Sequence, residues 1–83
     1  MLDVLIKTDY VNFDGITGHK NGAIYVSSWS KDWQKSVLLK LENNRIEHLL
    51  ENTWGMADIS YLPHNNTLAI ACFLTNQIYF YSL

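Results

Sequence analysis

Apolar residues in this chain come in short runs, alternating or continuous, and each run is closed by turn-forming residues. That pattern predicts strands and not helices. The runs fall at residues 4–6, 14–19, 23–27, 37–41 and 46–50, then at 57–61, 67–72 and 77–81. Asn21-Gly22 leads into the third run and is a strong hairpin signal, because both residue types tolerate positive φ. Asn43-Asn44 turns the fourth run into the fifth. Only residues 37–50 carry a competing helical pattern. The Asn pair in their middle favours the turn, since Asn is a poor interior helix former.

The second series of runs repeats the first. Asp14-Gly15-Ile16 lines up with Ala57-Asp58-Ile59 at a period of 43 residues. Residues 23–29 then lie over 67–73, and 36–41 over 77–82. A repeat of about 40 to 50 residues holding four strands is the signature of a propeller blade. The first repeat is complete, with strand centres at Gly15, Tyr25, Leu39 and His48. The second has three strands. Residues 3–7 resemble 46–50 and read as an outer strand. The expected fold is therefore all-β, a single unit over 1–83 made of two four-stranded propeller blades. Blade one covers about 14–50 and blade two about 57–82. The order is permuted, so that residues 3–7 complete a neighbouring blade.

Composition narrows the partners. The chain has 83 residues and a net charge of −2, which sets one small domain with a limited core. Cys72 is the only cysteine, so no disulfide forms within one chain. It lies in an apolar run and reads as a buried inert thiol, because a reactive one needs an electropositive neighbourhood. The 6 Lys and Arg are dispersed without a basic stripe, which argues against nucleic acid. No run approaches the length of a membrane helix, about 18 apolar residues. No charged segment followed by an apolar one opens the chain as in a signal peptide. Asn65-Asn66-Thr67 fits a glycosylation triplet but reads more simply as a hairpin turn. The compartment stays open.

Two segments resemble a known family. Phe13-Asp14-Gly15-Ile16, followed by Asn21-Gly22-Ala23-Ile24-Tyr25-Val26-Ser27-Ser28-Trp29, resembles the P-D-G-I … G-N-L-Y-V-S-D-W line of NHL-type propellers. It is similar especially to the senescence marker protein, gluconolactonase and regucalcin-like family. Ala57-Asp58-Ile59-Ser60-Tyr61 with Asn65-Asn66-Thr67-Leu68-Ala69-Ile70 resembles that family's P-A-D-I-x-Y … N-N-x-L-x-I line. The likeness covers about two blades of a six-bladed ring. It implies a divalent cation, usually calcium, at the mouth of the central channel, with Asp14 matching the Asp of the family's metal-binding Asp-Gly. The family's acidic and Asn ligands have no counterpart here, and Phe13 stands where Pro is common.

The remaining candidates are weighed on their own residues. A carboxylate at the entrance of an inner strand faces the channel axis, which makes Asp14 a candidate metal ligand. Asp58 aligns with Gly15, one position out of step, and is a candidate for ligand binding. Either carboxylate also suits a plain structural role, bonding local backbone at a strand start. Trp29 and Trp33, near loops, suit stacking on a sugar, as in small propeller lectins; packing between blades is the competing role. His19, His48 and His64 lack metal-site spacing. Ser27, Ser28 and Ser30 lack a nucleophile elbow. Gly15, Gly18 and Gly22 form no phosphate loop.

Two blades cannot close a ring. The expectation is a homotrimer, three chains making one six-bladed propeller and gathering three copies of Asp14 on one axis. Three functions follow. The first is a binding or scaffold module holding a divalent cation or small polar ligand at the channel. The second is a lactonase-like metal-dependent hydrolase. The third is a lectin using Trp29 and Trp33.

Overall fold

A computed structural model describes residues 6–83. Seven strands follow in order: β1 (Phe13–Gly18), β2 (Ile24–Trp29), β3 (Ser36–Glu42), β4 (Arg45–Asn52), β5 (Met56–Leu62), β6 (Thr67–Cys72) and β7 (Gln77–Ser82). All pairings are antiparallel. The first four make one sheet, β1-β2-β3-β4, and the last three another, β5-β6-β7. The all-β expectation is met, and residues 37–50 form a hairpin and no helix. No closed or propeller arrangement is present among the described residues. The expected outer strand at 3–7 falls mostly outside them; Ile6 and Lys7 belong to no strand.

Turn chemistry explains the hairpins. Asn43 and Asn44 both have positive φ, 52° and 61°, between the paired residues Glu42 and Arg45. That is a two-residue turn of the kind whose twist matches its strands. At Asn21-Gly22 only Gly22 is left-handed, at 97°. Asn21 instead accepts the Ala23 N–H on its side-chain oxygen, 2.9 Å. The last two hairpins have four-residue loops that end on left-handed Asn66 and Asn76. Asn serves in these places because its short side chain lowers the steric cost of that region.

The repeat is visible in the registers. Both sheets carry an irregularity at the same place in their first strand, between Phe13 and Ile16 and between Met56 and Ile59. Phe13 faces Ser28 and Met56 faces Cys72, consistent with the alignment of 23–29 on 67–73. The third strands align differently from the sequence expectation. Ser28 pairs with Val37 and Cys72 with Gln77. Val37, and not Ser36, is therefore the counterpart of Gln77. A slip of one residue exchanges the two faces of a strand, so it matters for which side chains meet.

The core lies between the sheets. Tyr25 and Leu38 from the first sheet are buried with Ile59, Leu68, Ile70 and Cys72 from the second. The backbones come together along β1 and β5, with β2 and β3 also near β5, and Leu49 and Leu50 of β4 and Tyr79 and Tyr81 of β7 pack at the border of the core. Gly15 marks the closest approach. A Cβ there would stand 2.5 Å from the Ala57 carbonyl oxygen and 2.9 Å from the Asp58 Cα. The two irregular segments thus meet backbone to backbone.

Polar side chains fasten this seam. The Gly15 N–H donates to Ser27 Oγ at 2.8 Å, and the Ser27 hydroxyl donates to the Ala57 carbonyl at 2.9 Å. Further along, the Trp29 indole donates to the Met56 carbonyl, and the Met56 N–H donates to Ser36 Oγ. At the other end the Tyr61 N–H donates to Thr17 Oγ1. Buried backbone groups at the irregularities lose ladder partners, and these side chains replace them.

Candidate functional site

The registers put one end of both sheets together. Phe13 at the start of β1 pairs beside the end of β2, and Trp29 there pairs with Ser36 at the start of β3. In the second sheet Met56, Cys72 and Gln77 occupy the same end. The bond from Trp29 to Met56 joins the two ends. Asp14, the loop after β2 and the loop after β6 therefore converge. A cleft of about 320 Å³ opens between them, lined by Asp14, Trp29, Trp33, Phe73 and Leu74.

Each lining residue is positioned by a nameable feature. Trp29 is buried at 6% exposure and ends β2. Its ring lies against Phe73, centroids 5.5 Å apart at 29°, and tilts 46° to Trp33 at 5.9 Å. Gly55, left-handed at 78°, lies beneath the cleft; a Cβ on it would meet Leu74 at 2.8 Å and the Trp29 ring at 3.0 Å. The Gly55 carbonyl accepts the Phe73 N–H, which draws the loop after β6 onto the site. Trp33 is 58% exposed and Phe73 57%. The exposed aromatic surface expected of Trp29 and Trp33 is thus carried by Trp33 and Phe73, with Trp29 as the buried ring between them.

Trp33 is held in the left-handed region, φ 61°, unusual for a bulky residue. The loop around it is stapled. Ser30 Oγ donates to Asp32 Oδ1 at 2.6 Å and accepts the N–H groups of Gln34 and Lys35. Backbone bonds tie Ser30 to Lys35 and the Trp33 N–H to the Ser30 carbonyl. The Ser30 hydroxyl and the Gln34 N–H hold the Asp32 carboxyl below its ordinary value.

The two carboxylates singled out by sequence differ. Asp58 is exposed and accepts the Ile59 N–H at 3.0 Å, a local backbone bond. Asp14 is exposed, borders the cleft, and has no hydrogen-bond partner among the described residues. No group of three or more His, Cys, Asp or Glu is placed to hold a metal ion among the described residues. His19 is committed to structure: it accepts the Asn21 N–H, pairs with Asn66 at 2.9 Å, and packs on Tyr61 at 4.3 Å. His48 and His64 are exposed on β4 and in the loop after β5. Trp54 stacks on Tyr79 at 4.4 Å and belongs to the join between sheets. Cys72 is buried, and burial pushes its thiol pKa up, which agrees with an inert thiol.

Phe73 and Leu74 were missed by sequence reasoning as cleft residues. They follow an apolar strand and look like its continuation. Their signal is positional, because residue 73 repeats residue 29. A larger open hollow of about 460 Å³ lies at the Asn43-Asn44 turn, lined by Lys40, Glu42, Asn43, Arg45 and Glu47. Its charges are solvated, and Lys40 is already paired with Glu42 at 3.4 Å. A comparison with protein-family models, curated proteins and solved structures found no match to this chain.

Proposed function

We propose that this chain is a self-assembling binding module, two blades of a propeller ring that three copies close, with its ligand site at the end where Asp14 lies. The observation that carries the reading is the state of the outer faces. Each sheet has already packed one face on the other. The second face of each is still apolar. On the first sheet Val26 and Leu39 on that face are buried, at 5% and 0% exposure, and the exposed apolar surface there is Ile16 at 64%, next to Phe13 at 53%. On the second sheet Ile78 and Phe80 stand 66% and 69% exposed on β7, across from Ala71 and Ala69. Large exposed apolar patches mark association surfaces. The occupant argued for is a second copy, because the face it offers is the complement already required. The close backbone approach of β1 to β5 supports a wedge that repeats around an axis.

In that ring β7 is an open edge. Residues 3–7 of the neighbouring copy are the proposed fourth strand. Ile6 borders the first sheet's outer face, in cavities it shares with Ile24, Leu39 and Leu41, on the side the neighbour would take. Three Asp14 carboxylates brought to one axis form a site for a divalent cation, calcium being the ion the family resemblance implies. Binding is favoured over hydrolysis, because the cleft beside Asp14 is lined otherwise by Trp29, Trp33, Phe73 and Leu74, none of them an acid or a base.

Light scattering on the purified chain, with and without calcium, tests this. The expected mass is three times that of one chain. A higher trimer fraction with calcium supports the cation. A single-chain mass at all concentrations overturns the ring.

A further inference from the structure

We propose that the cleft between Trp29, Trp33, Phe73, Leu74 and Asp14 binds a methylated ammonium group. All five residues belong to one chain, so the site does not depend on the ring. The volume, about 320 Å³, lies at the small end of ligand clefts, roughly 300–1,000 Å³.

The ring arrangement comes first. Three aromatic rings share the cleft, and two are more than half exposed. Phe73 stacks on the buried Trp29 at 29° and Trp33 tilts 46° to it, so the ring surface the cleft offers is that of Trp33 and Phe73. Aromatic faces carry the negative part of the ring quadrupole, which attracts cations. Leaving Trp33 in water wastes apolar area unless something covers it. Its loop spends a left-handed backbone and a set of stapling bonds to hold it there. An exposed ring fixed in place before binding loses little conformational entropy when a ligand arrives.

Charge then selects the ligand. Asp14 borders the rings, is exposed, and has no partner among the described residues. A hard cation such as calcium prefers about six to eight oxygen ligands. The cleft of one chain supplies one carboxylate and four apolar side chains, which is the wrong set. An anion is repelled. A bare ammonium must give up strong hydration to reach the rings. Methylation removes most of that hydration and offers carbon to Leu74 and the ring faces while keeping the positive charge. Such cations in aromatic cages are a recurrent mode of recognition.

The full chain is titrated with choline and with a short peptide carrying trimethyllysine, read by tryptophan fluorescence and by the indole N–H signals in NMR. The controls are the neutral carbon isostere of choline, 3,3-dimethylbutan-1-ol, and glucose. The expected result is saturable binding of at least one cation, with the neutral isostere weaker by about fivefold or more. Tighter binding of the peptide identifies a modified side chain as the source, and tighter choline a free metabolite; both support the site. Trp33→Ala and Asp14→Asn should each weaken binding about two- to fivefold. Both side chains are exposed, so unchanged circular dichroism is expected alongside. Equal binding of the isostere, binding of glucose alone, or no response to about 50 mM cation overturns the proposal. A single-chain mass with choline bound leaves this site standing without the ring. A trimer that ignores both cations does the reverse.

Discussion

At the scale of single residues, Gly15 and Ser27 decide how near the two sheets can come. A methyl group at Gly15 would press on backbone atoms of Ala57, Asp58 and Ile59, none of which can rotate away. Gly15→Ala must therefore part the seam and stretch the Ser27 bridge. Overpacking of this kind costs about 1–3 kcal/mol, and the broken bridge adds to it. Gly18→Ala is the internal control, since a Cβ there meets nothing within 4 Å. It should be neutral or gain up to about 1 kcal/mol. Urea unfolding of both variants checks the pair; equal stability would remove Gly15 from its role. The Asp14-Gly15 dipeptide was legible as a special point from sequence. Its reason was not, because the crowding comes from β5, which lies more than forty residues along the chain. The same holds for Ser27. A hydroxyl in a strand has no local feature that announces a bridge between sheets, whereas the burial of Cys72 follows from its apolar neighbours alone.

Among the elements, β7 is where sequence pattern and packing part company. All seven described strands were legible from β-formers and turn residues, most ends lying within a residue or two. The face of each strand was harder. The one-residue shift of β7 against β3 depends on the different lengths of the loops before them. Loop length sets register, and register sets which side chains are wet. Leu38 is fully buried, while its counterpart Ile78 is 66% exposed. An edge strand that shows Ile78 and Phe80 on one face invites pairing with another chain. Phe80→Lys places a charge on that edge without touching the inter-sheet core. The expected outcome is a fall in mass to the single chain by light scattering, with the urea midpoint of the dilute protein unchanged within about 0.5 kcal/mol. A full trimer from Phe80→Lys would move the association surface elsewhere.

For the molecule as a whole, stability rests on one thin core, and Tyr25 gives that core a titratable reporter. Its ring is 2% exposed, between Thr17 of β1 and Lys40 of β3. Burial raises its phenol pKa; the nearby Lys40 ammonium opposes this more weakly. The unfolded chain then loses the Tyr25 proton first, near the ordinary value of about 10. Above that pH the folded state binds more protons than the unfolded one, so stability falls as pH rises. Below it the contribution is complete and flat. With no disulfide and a small core, no other covalent or metal staple among the described residues hides the effect. Unfolding midpoints should be level between about pH 8 and 9.5 and decline beyond about 10, as proton linkage requires. Tyr25→Phe keeps the ring and removes the proton, so it should fold and show a shallower decline. Tyr61, Tyr79 and Tyr81 are partly exposed, and their variants serve as comparisons. If Tyr25→Phe loses stability with the same alkaline slope as the parent, the seam between the sheets is not where the proton is held, and the core is less closed than its burial indicates.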